Sequence, residues 1–137
     1  MAPGAARGTL GVMDDVLRVV CLCAQWCGVC REYEAAFVRT AEDFGTGADF
    51  VHVDIEDRAD LLDPVEIENF PTLLIARGAR ILFFGPITPQ RQTLVRLVQG
   101  ALAGDLQPLA DAPEIGALAR RIATWRDGPA AVDPAPR

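Results

Sequence analysis

The sequence predicts an α/β domain: a mixed sheet with helices packed against it. The apolar run Leu17–Cys23 and the alternating run Asp49–Ile55 bracket a segment in which Tyr33, Phe37, Ala41 and Phe44 recur at helical spacing. A strand, a helix and a second strand in that order imply a parallel pair joined by a right-handed crossover. Further along, Thr72–Ala76 is continuously apolar, as in a strand buried on both faces, and Arg80–Phe84 returns after Arg77-Gly78-Ala79 as its hairpin partner. Parallel and antiparallel pairs therefore share one sheet.

Taken in order, residues 1–8 are rich in Gly, Ala and Pro and read as a disordered lead. The globular domain is expected over residues 9–107. Thr9–Leu17 fits either a short helix or a ragged edge strand. The first helix is expected from Cys27 to Phe44, where Gly45-Thr46-Gly47 stops it because glycine accepts the left-handed cap conformation. Arg58–Asn69 is helix-like but broken by Pro64. Thr88 is expected to cap a helix with Pro89 at its first position, and Leu94, Leu97, Val98, Ala101 and Leu102 make its apolar face. Residues 108–127 form a helical extension, with Pro113–Trp125 helical and Asp111 and Glu114 in a capping arrangement. Its stripe of Ile115, Leu118, Ala119, Ile122 and Trp125 either covers the core or docks a partner. Residues 128–137, with Pro129, Pro134 and Pro136, read as a flexible tail.

Composition narrows the function. The chain has 137 residues, 50% of them hydrophobic and 7% aromatic, which suits a single core built of Leu, Val, Ile and Ala. A net charge of −6 offers no basic stripe for a nucleic-acid backbone, and no apolar run is long enough to span a bilayer. The first residues lack the continuous apolar stretch of a secretory signal, so a reducing cytoplasm is expected.

In that setting the cysteines point to redox chemistry. All four lie between positions 21 and 30, too close together to staple distant loops. Cys27 and Cys30 form a Cys-x-x-Cys pair where a strand gives way to a helix. Unsatisfied N–H groups and the positive end of the helix dipole favour a thiolate at Cys27 there. Cys30, one turn further on, can attack across the same turn. A structural zinc half-site or two idle thiols are the competing readings of the pair. Cys21, Cys23, Cys27 and Cys30 together have the donor type for zinc or an iron–sulfur cluster. A strand that aims Cys21 into the core, away from the helix tip, argues against that convergence. Neither metal nor cofactor is expected.

Trp26-Cys27-Gly28-Val29-Cys30, followed by a parallel strand and by Asn69-Phe70-Pro71-Thr72 at a strand start, resembles the thioredoxin family over about residues 17–103. The resemblance implies a three-layer thioredoxin-like fold, with four or five strands and an extra C-terminal helix. It also implies thiol–disulfide oxidoreduction of protein substrates, with Cys27 as nucleophile, Cys30 as resolving thiol and a reductase as electron donor. Trp26, Gly28, Val29, Phe70, a cis Pro71 and Gly85 would then contact substrate.

The departures from the family pattern are informative. Where the family has a buried aspartate, this chain has Cys21, and His52 stands by spacing where a lysine is usual. Cys23 replaces a common tryptophan and shares a strand face with Cys21. His52, alone or with Cys21, is a candidate proton relay for Cys30, imidazole being the side chain that titrates nearest neutrality. The bland alternative makes Cys21 a small buried hydrophobe and His52 a half-exposed strand residue. Val29 replaces the family's proline, which loosens the first helical turn and predicts a pair more oxidising than the thioredoxin value of roughly −270 mV. The competing function is a thioredoxin-like binding or chaperone module with little reductase activity, docking its partner through the C-terminal helix.

Overall fold

A computed structural model describes residues 16–24, 28–69, 71–78, 80–110 and 112–132, with side chains described as far as Arg126. The lead, nearly all of Thr9–Leu17, the Asp111 cap and the end of the tail lie outside the described residues.

The chain forms β1 (Leu17–Cys23), α1 (Gly28–Phe44), β2 (Asp49–Asp54), α2 (Ala59–Leu62), β3 (Thr72–Arg77), β4 (Arg80–Pro86), α3 (Arg91–Ala103) and α4 (Pro113–Val132). Among the described residues the strands make one four-stranded sheet in the order β2–β1–β3–β4. β1 runs parallel to β2, with α1 as the crossover, and antiparallel to β3, which forms a hairpin with β4. Gly78, at φ +62° in the β3–β4 turn, takes a conformation that favours glycine.

β1 is the middle of the molecule because every residue in it but Arg18 is buried. Leu17, Val19, Cys21 and Cys23 point to one layer, where they meet Tyr33 and Phe37 of α1 and Leu94, Val98 and Ala101 of α3. Val20 and Leu22 point to the other layer, where they meet Leu61 and Leu62 of α2 and Leu118, Ala119 and Ile122 of α4. A continuous apolar run is what such a strand requires.

On α1 the inward residues are Cys30, Tyr33, Phe37 and Thr40, the spacing of one helix face. The buried Thr40 hydroxyl donates to the Ala36 carbonyl (2.8 Å) and accepts from Arg91 Nε (3.1 Å). Arg91 also pairs with Asp43, so the start of α3 is tied to α1.

Some element boundaries differ from the sequence reading. Thr88 does not cap α3. A turn closed by Gln90 N–H on the Thr88 carbonyl (2.8 Å) absorbs Pro89, and the helix begins at Arg91 with Gln90 as its cap. The Thr88 hydroxyl instead meets that of Thr93 at 3.0 Å. The helical part of Arg58–Asn69 shrinks to Ala59–Leu62, ahead of Asp63 and Pro64. α4 continues past the expected end at Trp125 to Val132, so Gly128 and Pro129 do not end it.

The stripe on α4 is used within the domain. Leu118 and Ile122 are fully buried against the sheet, Arg121 Nε donates to the Leu61 carbonyl (2.6 Å), and the Arg58 guanidinium lies 5.0 Å from the Trp125 ring centre. Arg126 and Arg18 both reach Asp49, each at 3.0 Å. Burial alone would raise the Asp49 carboxyl, but hydrogen bonds from Arg126 and Arg18 outweigh it and hold the group below its usual value. α4 is thus a structural layer. Ile122→Ala should lower unfolding free energy by about 2–4 kcal/mol in urea titration; a loss below about 0.5 kcal/mol would mean that α4 does not close the core.

Candidate functional site

The site lies where β1 ends and α1 begins. Cys21 and Cys23 sit on the face of β1 that α1 covers, and Cys30 lies in the first turn of α1. Cys23 and Cys30 are joined by a disulfide, with their Cα atoms 5.8 Å apart. Cys21 is a buried free thiol whose S–H donates to Cys23 Sγ at 3.8 Å. The register of β1 on β2 sets His52 directly beside Cys21. The donor atoms of Cys21, Cys23 and His52 all fall within 4.8 Å of one another.

The expectation that Cys21 points away from the helix tip is therefore corrected. α1 lies over that face of β1, so pointing into the core and pointing towards the first turn of α1 are one direction. Among the described residues the sulfurs of Cys21, Cys23 and Cys30 converge. As a metal site the group is incomplete while Cys23 is in the disulfide, because a thiolate is the ligand that zinc prefers.

Electrostatics separate the roles of these groups. Burial, with the Glu34 charge second, pushes the Cys21 thiol up to about 12. Cys21 therefore keeps its proton at neutral pH and can donate it but not accept one. Burial, followed by the proximity of Cys21, also raises the Tyr33 hydroxyl, whose buried oxygen has no hydrogen-bond partner in the structure. His52 is half-buried, with its ring 6.5 Å from that of Phe37 in an edge-on arrangement.

The remaining residues expected at the site divide into two groups. Trp26, Cys27 and Phe70 lie outside the described residues, and with Phe70 the isomer of the peptide bond to Pro71. Gly28 is exposed at the start of α1, and Val29 beside it is 43% exposed. Pro71 is buried, and its carbonyl accepts from Ile87 N–H at 3.1 Å. Leu22 pairs with Thr72, which puts Pro71 level with the end of β1, where Cys23 lies. Gly85 pairs with Leu73 and borders a small depression of about 180 Å³ shared with Asn69, Thr72 and Phe84.

Sequence reasoning missed Cys23 as the partner of Cys30. The usable signal was its place as the last helix-facing residue of β1, directly under the turn that carries Cys30.

A raised Cys21 thiol has a pH signature. In the unfolded chain it ionises near the ordinary value of 9.0, whereas in the fold it stays protonated up to about 12. Its contribution to stability is therefore complete below pH 9 and is lost as pH rises through that window. Cys21→Ala should flatten the alkaline side of the stability profile between about pH 9 and 11. An equally steep profile in the variant would contradict the assignment.

Comparison with known proteins supplies the family. The sequence model of the Thioredoxin family matches residues 11–95. Thioredoxin-1 of Drosophila yakuba is 29% identical over 69 residues, covering 50% of this chain and 64% of that protein. The match thus spans just under two thirds of that relative's length. Among solved structures, thioredoxin from Trypanosoma brucei brucei superimposes with a TM-score of 0.58 at 24% identity, over 72% of this chain and 87% of that one. A chain from the complex of ferredoxin:thioredoxin reductase with thioredoxin f2 gives a TM-score of 0.57 at 18% identity, over 68% of this chain and 84% of its own. Those two likenesses bear on the fold, and the match over residues 11–95 bears on descent. The chain belongs to the thioredoxin family.

Proposed function

We propose that the protein is a thiol–disulfide oxidoreductase of protein disulfides, with Cys27 as nucleophile and Cys30 as resolving thiol. The observation that carries this reading is the place of Cys30 in the first turn of α1, three residues after Cys27, in a chain that matches the Thioredoxin family model over residues 11–95. Cys27 directly precedes Gly28, the first residue of α1, and a thiol at a helix start ionises readily. The Cys27 thiolate attacks one sulfur of a substrate disulfide, and the other sulfur leaves with a proton. The Cys30 thiolate then attacks Cys27, releasing the second substrate sulfur and leaving an internal disulfide.

Proton transfer falls to His52. Cys21 holds its own proton too firmly to act as base, so His52 accepts the proton of Cys30 while Cys21 donates a hydrogen bond to the sulfur cluster. Substrate meets the exposed Gly28 and Val29, together with Trp26 and the Phe70–Pro71 segment, and Gly85 borders the groove. A reductase returns the internal disulfide to thiols in a reducing cytoplasm. Support for such a partner is that one structural neighbour is a chain from a complex of ferredoxin:thioredoxin reductase with thioredoxin f2. The binding-module alternative loses its docking helix, since the stripe of α4 is buried against the sheet.

In an insulin turbidity assay with dithiothreitol, the wild type should accelerate precipitation and Cys27→Ser should not. Cys30→Ser should accumulate a covalent mixed disulfide with its target. A wild-type rate equal to that of dithiothreitol alone would favour a binding role instead. His52→Ala should slow reduction roughly tenfold or more near neutral pH and remove its rise with pH; an unchanged pH profile would retire the relay.

A further inference from the structure

We infer that Cys23 is a third redox-active thiol, which takes over the disulfide from Cys27 and stores it as Cys23–Cys30. The family-based reading needs only Cys27 and Cys30, and Cys23 has no part in it. Yet it is Cys23 to which Cys30 is bonded in the structure, across a Cα separation of 5.8 Å that lies in the ordinary range for disulfides.

The setting suits a stored disulfide. Cys23 is 1% exposed and Cys30 3%, whereas Val29 between the active-site cysteines is 43% exposed. A protein substrate or a bulky thiol that can reach the outer end of α1 cannot reach the Cys23–Cys30 bond without opening the core. The Cys21 S–H donates to Cys23 Sγ at 3.8 Å, placing a hydrogen bond on the sulfur that carries negative charge as Cys23 attacks Cys30 and again whenever Cys30 is attacked and Cys23 leaves. The imidazole of His52 lies within 4.8 Å of the same sulfur and can take its proton.

The step is an isomerisation and balances without an added oxidant. After substrate reduction the disulfide joins Cys27 and Cys30. Cys23 gives its proton to His52 and attacks Cys30 Sγ. The Cys23–Cys30 bond forms, the Cys27–Cys30 bond breaks, and Cys27 leaves as a thiolate. A low-pKa thiol at a helix start is a good leaving group. The protein remains oxidised by two electrons throughout, but its nucleophile is free again. In that state Cys27 can join a second target covalently, and Cys30 cannot release that target until the internal bond is reduced.

The transfer step rests on the Cys27/Cys30 reading, whereas the buried bond does not, and one experiment separates them. The full chain is oxidised with oxidised glutathione, its free thiols are blocked with N-ethylmaleimide in acid and denaturant, and the label is located by fragmentation. Arg18 and Arg31 bound one tryptic peptide that holds all four cysteines. Label on Cys21 and Cys27, with none on Cys23 or Cys30, is the expected pattern; label on Cys23 or Cys30 overturns the proposal. Cys27→Ser should still lose two thiols to an internal bond on oxidation, and Cys23→Ser combined with Cys27→Ser should not. A Cys27→Ser chain that keeps all its thiols free, or takes up only glutathione, also overturns it. Failure of the wild type to reduce insulin, by contrast, strikes the oxidoreductase reading and leaves this map intact.

Discussion

The contact on which the rest depends is the packing of the first turns of α1 onto one face of β1. β1 is hydrogen-bonded on both edges and covered on both faces, so its side chains have no freedom to turn away. Pleating then sends Cys21 and Cys23 to the side that α1 occupies. Inward spacing on α1 brings Cys30 down onto the same spot. No loop has to be ordered to gather these sulfurs; the strand and helix that make the core do so themselves. The parallel register with β2 adds His52.

The second layer secures that arrangement from behind. The face of the sheet opposite the cysteines is closed by α2 and α4, with Leu118 and Ile122 seated on Val20, Leu22, Leu74 and Ile81. Asp49, at the start of β2, is gripped by Arg18 of β1 and Arg126 of α4, so the helix is tied to the two strands that set the cysteine–histidine register. The C-terminal extension therefore acts on the chemistry only through the rigidity of the sheet.

Much of this was legible in the sequence. The continuous apolar runs of β1 and β3, the helical spacing of Tyr33 and Phe37, and the hairpin at Gly78 all led to the right elements. The juxtaposition of Cys21 with His52 was implied by the family resemblance, in which the two positions hold a neighbouring aspartate and lysine, and the register of β1 on β2 bears it out. What was not legible was direction in depth. Periodicity tells which residues share a face but not which layer covers it, so it does not reveal that Cys21 lies under the first turn of α1. The same gap hid Cys23, which looked like a filler for a missing tryptophan until the turn carrying Cys30 was seen above it. Helix boundaries failed for a local reason: Thr88-Pro89 has the residue types of a helix start, but the backbone used them for a preceding turn. Gly128 and Pro129 have the residue types of a stop, and α4 ran through them.

In the proposed cycle two sulfurs, those of Cys23 and Cys27, compete for one, that of Cys30. Nuclear magnetic resonance can report the outcome residue by residue, because the 13Cβ shift of a cysteine differs sharply between thiol and disulfide. In the oxidised protein this account predicts disulfide shifts for Cys23 and Cys30 and thiol shifts for Cys21 and Cys27. A thiol shift for Cys23 in that sample would contradict it.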